Sequence, residues 1–329
     1  MMKAVYIQEP GEDAVVAFSD VPDLPKPVGS LVLVRVKAAG LNRADLMQRR
    51  GLYPPPAGYS LSIPGLEFAG EAVECGPDAH NIKTGDRICG ITAGEAQAEY
   101  VLVDSSTLIH IPEILTYTDA AAIPEAFITA HDAICTLGEI KSDETLLVHA
   151  VGSGVGLAAL QMARMAGARV IGTSRTNSKL TQAVQHGLND AILAEKDSNF
   201  AVRVSELTDG RGVDVVLDLV GGSYFAENLD SLANKGRLIL VGLTGGGKAE
   251  FDLRKALYKR LRIVGTVLRA RSIEEKAEAT RLFVDHQMKN FIDGSIKPVV
   301  DRVFPAEEAN AAYDHLASNG SFGKVILEF

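Results

Sequence analysis

The segment 145–179, TLLVHAVGSGVGLAALQMARMAGARVIGTSRTNSK, constrains this chain more than any other. An apolar run leads into a glycine turn, then a stretch of small residues at helical spacing, then a second apolar run. Strand, turn, helix and strand in that order predict a parallel βαβ unit. The free N–H groups and the dipole at the start of such a helix attract anions, a pyrophosphate among them. Within AVGSGVG the candidate contacts are Gly152, Ser153, Gly154 and Val155. Gly154 lets a backbone approach a phosphate, and Gly156 lets the helix lie close on the sheet. The turn is not a literal G-x-G-x-x-G, because Leu157 stands at the third glycine position. Loops of this composition also occur as plain strand-to-helix turns.

The second strand runs into Ser174, Arg175 and Lys179, where many dinucleotide sites carry a carboxylate. An acidic residue there would accept from a ribose 2′-hydroxyl, whereas a hydroxyl beside two cations favours a 2′-phosphate. The expected cofactor is therefore NADPH. The competing reading is a solvated helix start, since Ser and Thr commonly cap helices.

Composition excludes several classes. With 329 residues, 47% hydrophobic and 23% charged, the chain matches a folded protein of about two domains. The formal net charge of -9 argues against a general phosphate-backbone binder, so nucleic acid is an unexpected partner. The start, MMKAVYIQEPGED, turns polar too early for a secretory leader, and no apolar run suggests a membrane span. Cys75, Cys89 and Cys135 are scattered, as reduced thiols of a cytoplasmic protein would be.

Two textures alternate along the chain. Up to about Pro124 it consists of Val- and Ile-rich runs separated by Gly and Pro: MKAVYI, 31–40, 65–73, 86–92 and 98–104. The stretch LTYTDAAAIPEAFITAHDAICTLGEI looks helical, broken at Pro124. From Thr145 to about Gly265, strands at 145–149, 169–173, 191–193, 213–220, 237–241 and 262–267 alternate with helices such as 155–165 and 179–186. That alternation predicts a parallel sheet covered on both faces. The last 60-odd residues hold one clear helix, 273–288, and a closing strand, KVILEF. Neither builds a domain alone, so the tail is expected to return to the front half. The expected division is 1–123 as a β-rich catalytic domain, 124–265 as the dinucleotide-binding domain, and 266–329 as the return segment.

Several motifs follow one another in a family order: LVLVRVKAAGLNRADLMQRRGLYPPP, IPGLEFAGEAV, GDRICGI, AEYVLV, AAAIPEAFITA, the glycine turn, DLVGGSYF, GRLILVGLTGGG and GKVILEF. Together they resemble the medium-chain dehydrogenase/reductase superfamily, in its zinc-lacking, zeta-crystallin-like quinone oxidoreductase branch, over essentially the whole chain. The resemblance implies an α/β fold in which a Rossmann-type doubly wound domain is inserted into a β-rich GroES-like catalytic domain. It implies a homodimer, with 262–267 pairing across a two-fold axis. It points to Asn42, Asp45 and Tyr53 around an acceptor, Asn42 and Tyr53 donating hydrogen bonds and Asp45 orienting neighbours such as Arg43. It places Thr129 by the nicotinamide ribose, Val220, Gly242, Leu243 and Leu268 along the cofactor, and Lys324 near it. Plain alternatives exist: N-R-A-D can cap a helix, Tyr53 can pack a proline turn, and Leu243 and Leu268 can be strand-end packing. One departure is that ILAEKDSNF lacks a tyrosine that relatives often offer to the adenosine end.

Zinc-dependent members carry Cys and His where this chain has Asn42 and Leu66, and no four-cysteine cluster or H-x-x-x-H is present, so no metal is expected. No Tyr is followed four residues later by Lys, and Ser153 lies in V-G-S-G-V instead of a hydrolase elbow. The expected chemistry is hydride transfer from NADPH to a quinone or similar conjugated carbonyl, in a cleft between the domains. A reductase of 2-alkenal or enoyl double bonds shares the fold and cofactor. An NADPH-loaded sensor or RNA-binding protein is the rival from another class; charge and the lack of an aromatic-plus-basic stripe count against it.

Overall fold

The computed structural model describes residues 1–12, 14–195 and 199–329. Lys196, Asp197 and Ser198, within the ILAEKDSNF stretch, lie outside the described residues. The front of the chain forms β1 (Met2–Ile7), β2 (Val16–Val21), β3 (Leu31–Leu41), α1 (Arg43–Arg49), β4 (Glu67–Cys75), β5 (Arg87–Ile91), β6 (Tyr100–Asp104) and β7 (Leu108–His110). Two helices follow, α2 (Tyr117–Ala120) and α3 (Pro124–His131), and α3 runs on into a π-helical stretch, Asp132–Leu137. Pro124 opens α3, the position where its missing N–H costs nothing.

The middle then alternates: β8 (Thr145–Val148), α4 (Gly154–Met165), β9 (Arg169–Ser174), α5 (Asn177–Gln185), β10 (Asp190–Leu193), α6 (Phe200–Leu207), β11 (Val213–Asp218), α7 (Phe225–Ser231), β12 (Leu232–Leu240), α8 (Leu253–Lys259) and β13 (Arg262–Gly265). The return segment forms α9 (Ile273–Ile292), β14 (Val300–Pro305), α10 (Ala309–Ala317) and β15 (Lys324–Glu328). The chain divides into two compact units, Met1–Ile128 with Leu268–Phe329, and Thr129–Val267. The first seam thus falls inside α3.

In the Thr129–Val267 unit the strand order is β10-β9-β8-β11-β12-β13, every pair parallel. The chain starts at the centre on β8, moves out through β9 and β10, then crosses back to β11. That reversal creates a switch point between β8 and β11, outside whose carboxyl ends open α/β sheets bind ligands. Helices on both faces explain why Leu147, Ile171, Val216 and Leu238 are fully enclosed and the strands read as continuous apolar runs.

In the other unit a sheet runs β14-β15-β3-β4-β5-β7, with β6 also paired to β3, and β1 and β2 form a separate ribbon. Its pairs are antiparallel except β14 with β15. One core lies under Val32, Val34, Phe68, Ile88 and Val101, a second under Ile7, Leu41, Tyr313, Val325 and Leu327. Residues of the return segment thus share cores with the front residues, which is why a segment without a core of its own is ordered. Phe291 of α9 meets Phe127 of α3 edge-on, ring centroids 5.0 Å apart. The return segment is richer than the sequence suggested. β14 presents mostly exposed residues at a sheet edge, so it lacks a clean apolar alternation, and α10 is short and alanine-rich.

Candidate functional site

In the Thr129–Val267 unit, β8 ends at Val148 and Ala150 takes a positive φ of 49°, turning the chain into α4. Ser153 caps α4, its Oγ accepting from the Gly156 N–H at 3.1 Å. A Cβ on Gly156 would meet the Ala150 carbonyl oxygen at 2.6 Å and the Val151 Cα at 2.8 Å. Glycine there lets α4 start close against the β8 turn, with Gly154 and Val155 in the first turn, where N–H groups lack intrahelical acceptors. Ser153 thus has a capping role of its own.

Past β9, Ser174 is buried and its Oγ accepts from the Thr176 N–H at 3.2 Å, a local turn of the kind serine favours. Arg175 is exposed, and Lys179 stands in the first turn of α5. The hydroxyl and both cations therefore lie on the end of one strand and the start of the next helix. Arg175 also lowers the Tyr224 hydroxyl's pKa, which burial raises.

A buried polar chain that the sequence did not reveal lies beside this turn. Asp218, at the end of β11, accepts from the N–H of Val220 at 2.7 Å and of Gly221 at 2.9 Å through Oδ1. Its Oδ2 accepts from Asn228 Nδ2 at 2.9 Å. With its Nδ2 committed to Asp218, Asn228 turns its oxygen toward His149 Nε2, 2.6 Å away, which must carry the proton. His149 Nδ1 lies 2.9 Å from Thr173 Oγ1. Burial holds this imidazole below its usual pKa, and Phe200 and Tyr224 enclose it with ring centroids at 4.9 Å. The chain ties the end of β9 to the Val220 turn. Close by, the Gly242 N–H donates to the Asp218 carbonyl oxygen at 3.2 Å, and Leu243 is 60% exposed, so strand-end packing does not account for it.

The other unit gathers a second cluster. Asn42 precedes α1, and Asp45 accepts from the N–H of Asn42 at 2.7 Å and of Gly65 at 3.2 Å. Asp45 thereby fixes Asn42 and the Gly65 turn, and Arg43 donates to Asn319 Oδ1 at 2.8 Å. Burial pushes the Asp45 carboxyl up to about 6, offset by those N–H groups and by Lys324 and Arg269. Asn42 Nδ2 donates to Glu67 Oε1 at 2.9 Å. Lys324 donates to the Leu41 carbonyl at 2.9 Å, to Asn42 Oδ1 at 2.6 Å and to Glu67 Oε1, which employs all three of its ammonium protons. Gly40 makes room for the Glu67 carboxylate, since a Cβ there would overlap it.

Arg269 pins the Tyr53 loop. Its guanidinium donates to the carbonyls of Ala93 at 2.8 Å and Tyr53 at 2.9 Å and to Gln48 Oε1 at 2.5 Å, and lies 5.0 Å from the Tyr53 ring centroid. Leu268 beside it is buried, as packing would have it. Glu67, Glu125, Arg269 and Lys276 joined this cluster without a sequence signal beyond PGLE and PEAF. Thr129, on α3, is part-exposed.

Asn42, Asp45, Tyr53, Leu268 and Lys324 thus fall in one unit. Thr129, the glycine turn, Ser174, Arg175, Lys179, Val220, Gly242 and Leu243 fall in the other. Among the described residues, no group of three His, Cys, Asp or Glu side chains could hold a metal ion, and no helix is long and apolar enough to cross a membrane.

A doubly wound domain carrying a glycine turn, set into a β-rich unit, defines a class of dehydrogenases and reductases. The chain matches the family described as alcohol dehydrogenase GroES-like domain over residues 29–113, and the one described as zinc-binding dehydrogenase over residues 154–285. It is 34% identical over 307 residues to mouse quinone oxidoreductase-like protein 2, covering 92% of this chain and 86% of that one. Human quinone oxidoreductase is 29% identical over 332 residues, covering 99% and 98%. A mycobacterial protein solved in complex with NADPH is 30% identical, with a TM-score of 0.90 and full coverage of both chains. The chain belongs to the medium-chain dehydrogenase/reductase superfamily, in its quinone oxidoreductase-like branch, and is an oxidoreductase.

Proposed function

We propose that the protein is a zinc-independent NADPH:quinone oxidoreductase that reduces a quinone or another conjugated carbonyl. One observation carries the cofactor: α4 starts at the switch point of the parallel sheet, and Ser174, Arg175 and Lys179 follow the neighbouring strand. The close approach at Gly156 and the cationic end of β9 fit a dinucleotide with a 2′-phosphate. The mycobacterial relative's NADPH complex supports the same choice. In this reading Gly152, Ser153, Gly154 and Val155 face the pyrophosphate, Val220, Gly242 and Leu243 line the cofactor, and Thr129 stands by the nicotinamide ribose. The bound nicotinamide supplies a hydride.

The chain's own residues then bind and polarise the acceptor. Asn42 keeps one of its two amide protons after serving Glu67, and that proton suits an oxygen gaining negative charge. Tyr53, whose phenol burial keeps protonated, is the second donor, its loop fixed by Arg269. Lys324 and Asp45 act by holding Asn42. The front and return segments supply this catalytic part and the middle segment the dinucleotide part. Three free thiols suit a cytoplasmic setting. β13 ends its sheet with Ile263 38% exposed, and we assign it as the strand that pairs with its twin in a homodimer.

The test is direct. Fluorescence titration with NADPH and NADH should show saturable binding that favours NADPH. Steady-state assays should then show preference for 1,4-benzoquinone or 9,10-phenanthrenequinone over 2-hexenal. No binding at millimolar NADPH defeats the reading, and a preference for the alkenal by about two decades makes the protein a double-bond reductase.

A further inference from the structure

α3 buries six of its residues and leaves Glu125 and Thr129 part-exposed. The two stand four apart, one turn along the same helix face. The helix therefore presents a carboxyl and a hydroxyl together, and Thr129 is the residue proposed beside the nicotinamide ribose. The Glu125 N–H donates to Glu67 Oε2 at 2.8 Å, so the start of α3 rests on the Glu67–Asn42–Lys324 cluster.

The charged and titratable groups that bear on the Glu125 carboxyl come from several elements. They are Glu67 of β4, Asp45 of α1, Tyr53 of the following loop, Lys324 of β15, Arg269 ahead of α9, and Lys276 on α9. Asp45 and Tyr53 thus bear on one carboxyl that the proposed reaction has not yet used, and Asn42 shares the Glu67 carboxylate with the Glu125 N–H. The neighbouring cations have work elsewhere. Lys324 serves Glu67, Asn42 and Leu41; Lys276 donates to the Arg271 carbonyl at 2.8 Å; Arg269 holds the Tyr53 loop. Glu67 is held through both oxygens, and so is Asp45.

We propose that Glu125 is the acid that protonates the acceptor oxygen. This rests on the reductase reading above. A hydride arriving with its electron pair reduces the acceptor and leaves a negatively charged oxygen. The Glu125 O–H bond breaks, its proton forms the new O–H bond on that oxygen, and the carboxylate regains a proton from water. Burial and the adjacent Glu67 charge push the Glu125 carboxyl up to about 8, so it enters each turnover protonated at neutral pH.

The test compares wild type with Glu125→Gln, Glu125→Asp and Tyr53→Phe. At saturating NADPH, wild-type turnover should fall about tenfold per pH unit above about 8, since the protonated form is required. Glu125→Gln should lose about 100-fold in turnover and lack that descending limb, with the dissociation constant for NADPH unchanged. Glu125→Asp should recover part of the rate and keep a limb. A readout independent of turnover is the infrared carboxylic-acid band of the cofactor-free protein, which should titrate away near pH 8 and be missing in Glu125→Gln. Wild-type turnover within about threefold in Glu125→Gln, or the limb moving with Tyr53→Phe instead, overturns the proposal while the reductase reading stands. A wild type that reduces no acceptor overturns both.

Discussion

Asn42 Oδ1 accepts from Lys324 Nζ at 2.6 Å, joining the residue ahead of α1 to the last strand of the sheet. The same amide donates to Glu67 at 2.9 Å, so one side chain bridges a buried cation and a buried carboxylate. Removing one partner of such a pair strands the other charge, at a cost of about 3–5 kcal/mol. Lys324→Met should lower the unfolding free energy in urea by that amount. Adding Glu67→Gln should restore more than half of it. A loss below about 1 kcal/mol for Lys324→Met would show that the pair does not hold this region together.

Lys179→Ala should raise the dissociation constant for NADPH roughly 10- to 100-fold and leave NADH almost unchanged, as the loss of one charge-assisted contact demands. Arg175→Ala should act in the same direction. Isothermal titration with both dinucleotides checks this, and equal losses for both would remove the 2′-phosphate assignment.

Glu125 also makes stability depend on pH. Its folded value of about 8 exceeds the ordinary 4.5, so the folded state holds a proton that the unfolded chain releases. That contribution is complete below about 4.5 and is lost as pH rises to about 8, by up to about 1.4 kcal/mol per unit. Asp45, pushed from 3.8 to about 6, adds the same sign over a lower window. Glu125→Gln should therefore flatten the fall of Tm between roughly pH 6 and pH 8. An unchanged slope would contradict the buried carboxyl.

Asn228→Leu should leave the His149 Nε2 proton and one Asp218 oxygen without partners inside the protein. A cost of about 2–5 kcal/mol is expected from two orphaned buried groups. The Val220 turn should loosen as well, raising the dissociation constant of either dinucleotide. Denaturant unfolding and titration on one preparation measure both effects.

Ile263→Glu puts a charge on the exposed edge strand β13. If two copies meet there, light scattering should give twice the chain mass for wild type and the single mass for the variant. A wild-type monomer would dismiss the pairing.

The alternation from β8 to β13 was readable because a parallel sheet covered on both faces writes each strand as an apolar run, and 145–148, 169–174 and 213–218 stand out as such. β14 and α10 were not, because an edge strand with polar residues and a short alanine-rich helix carry little periodic signal. Ser153 and Ser174 could be singled out through the glycine turn and the strand end, and Asn42 through family likeness. Glu125 and His149 could not: their significance lies in which distant side chains surround them, and spacing along the chain does not encode that. Lys324 was legible only through family likeness, and its three buried hydrogen bonds come from tertiary packing.

β15 brings the only ammonium hydrogen-bonded to the enclosed Glu67 carboxylate among the described residues, yet it is made after the whole of Thr129–Val267. On the ribosome, the contiguous middle unit can assemble while its host is still incomplete. The front strands, with an uncompensated acidic group at their heart, must wait for the return segment to emerge before they can settle, so an interrupted translation product would keep a competent nucleotide half and a host that never closes.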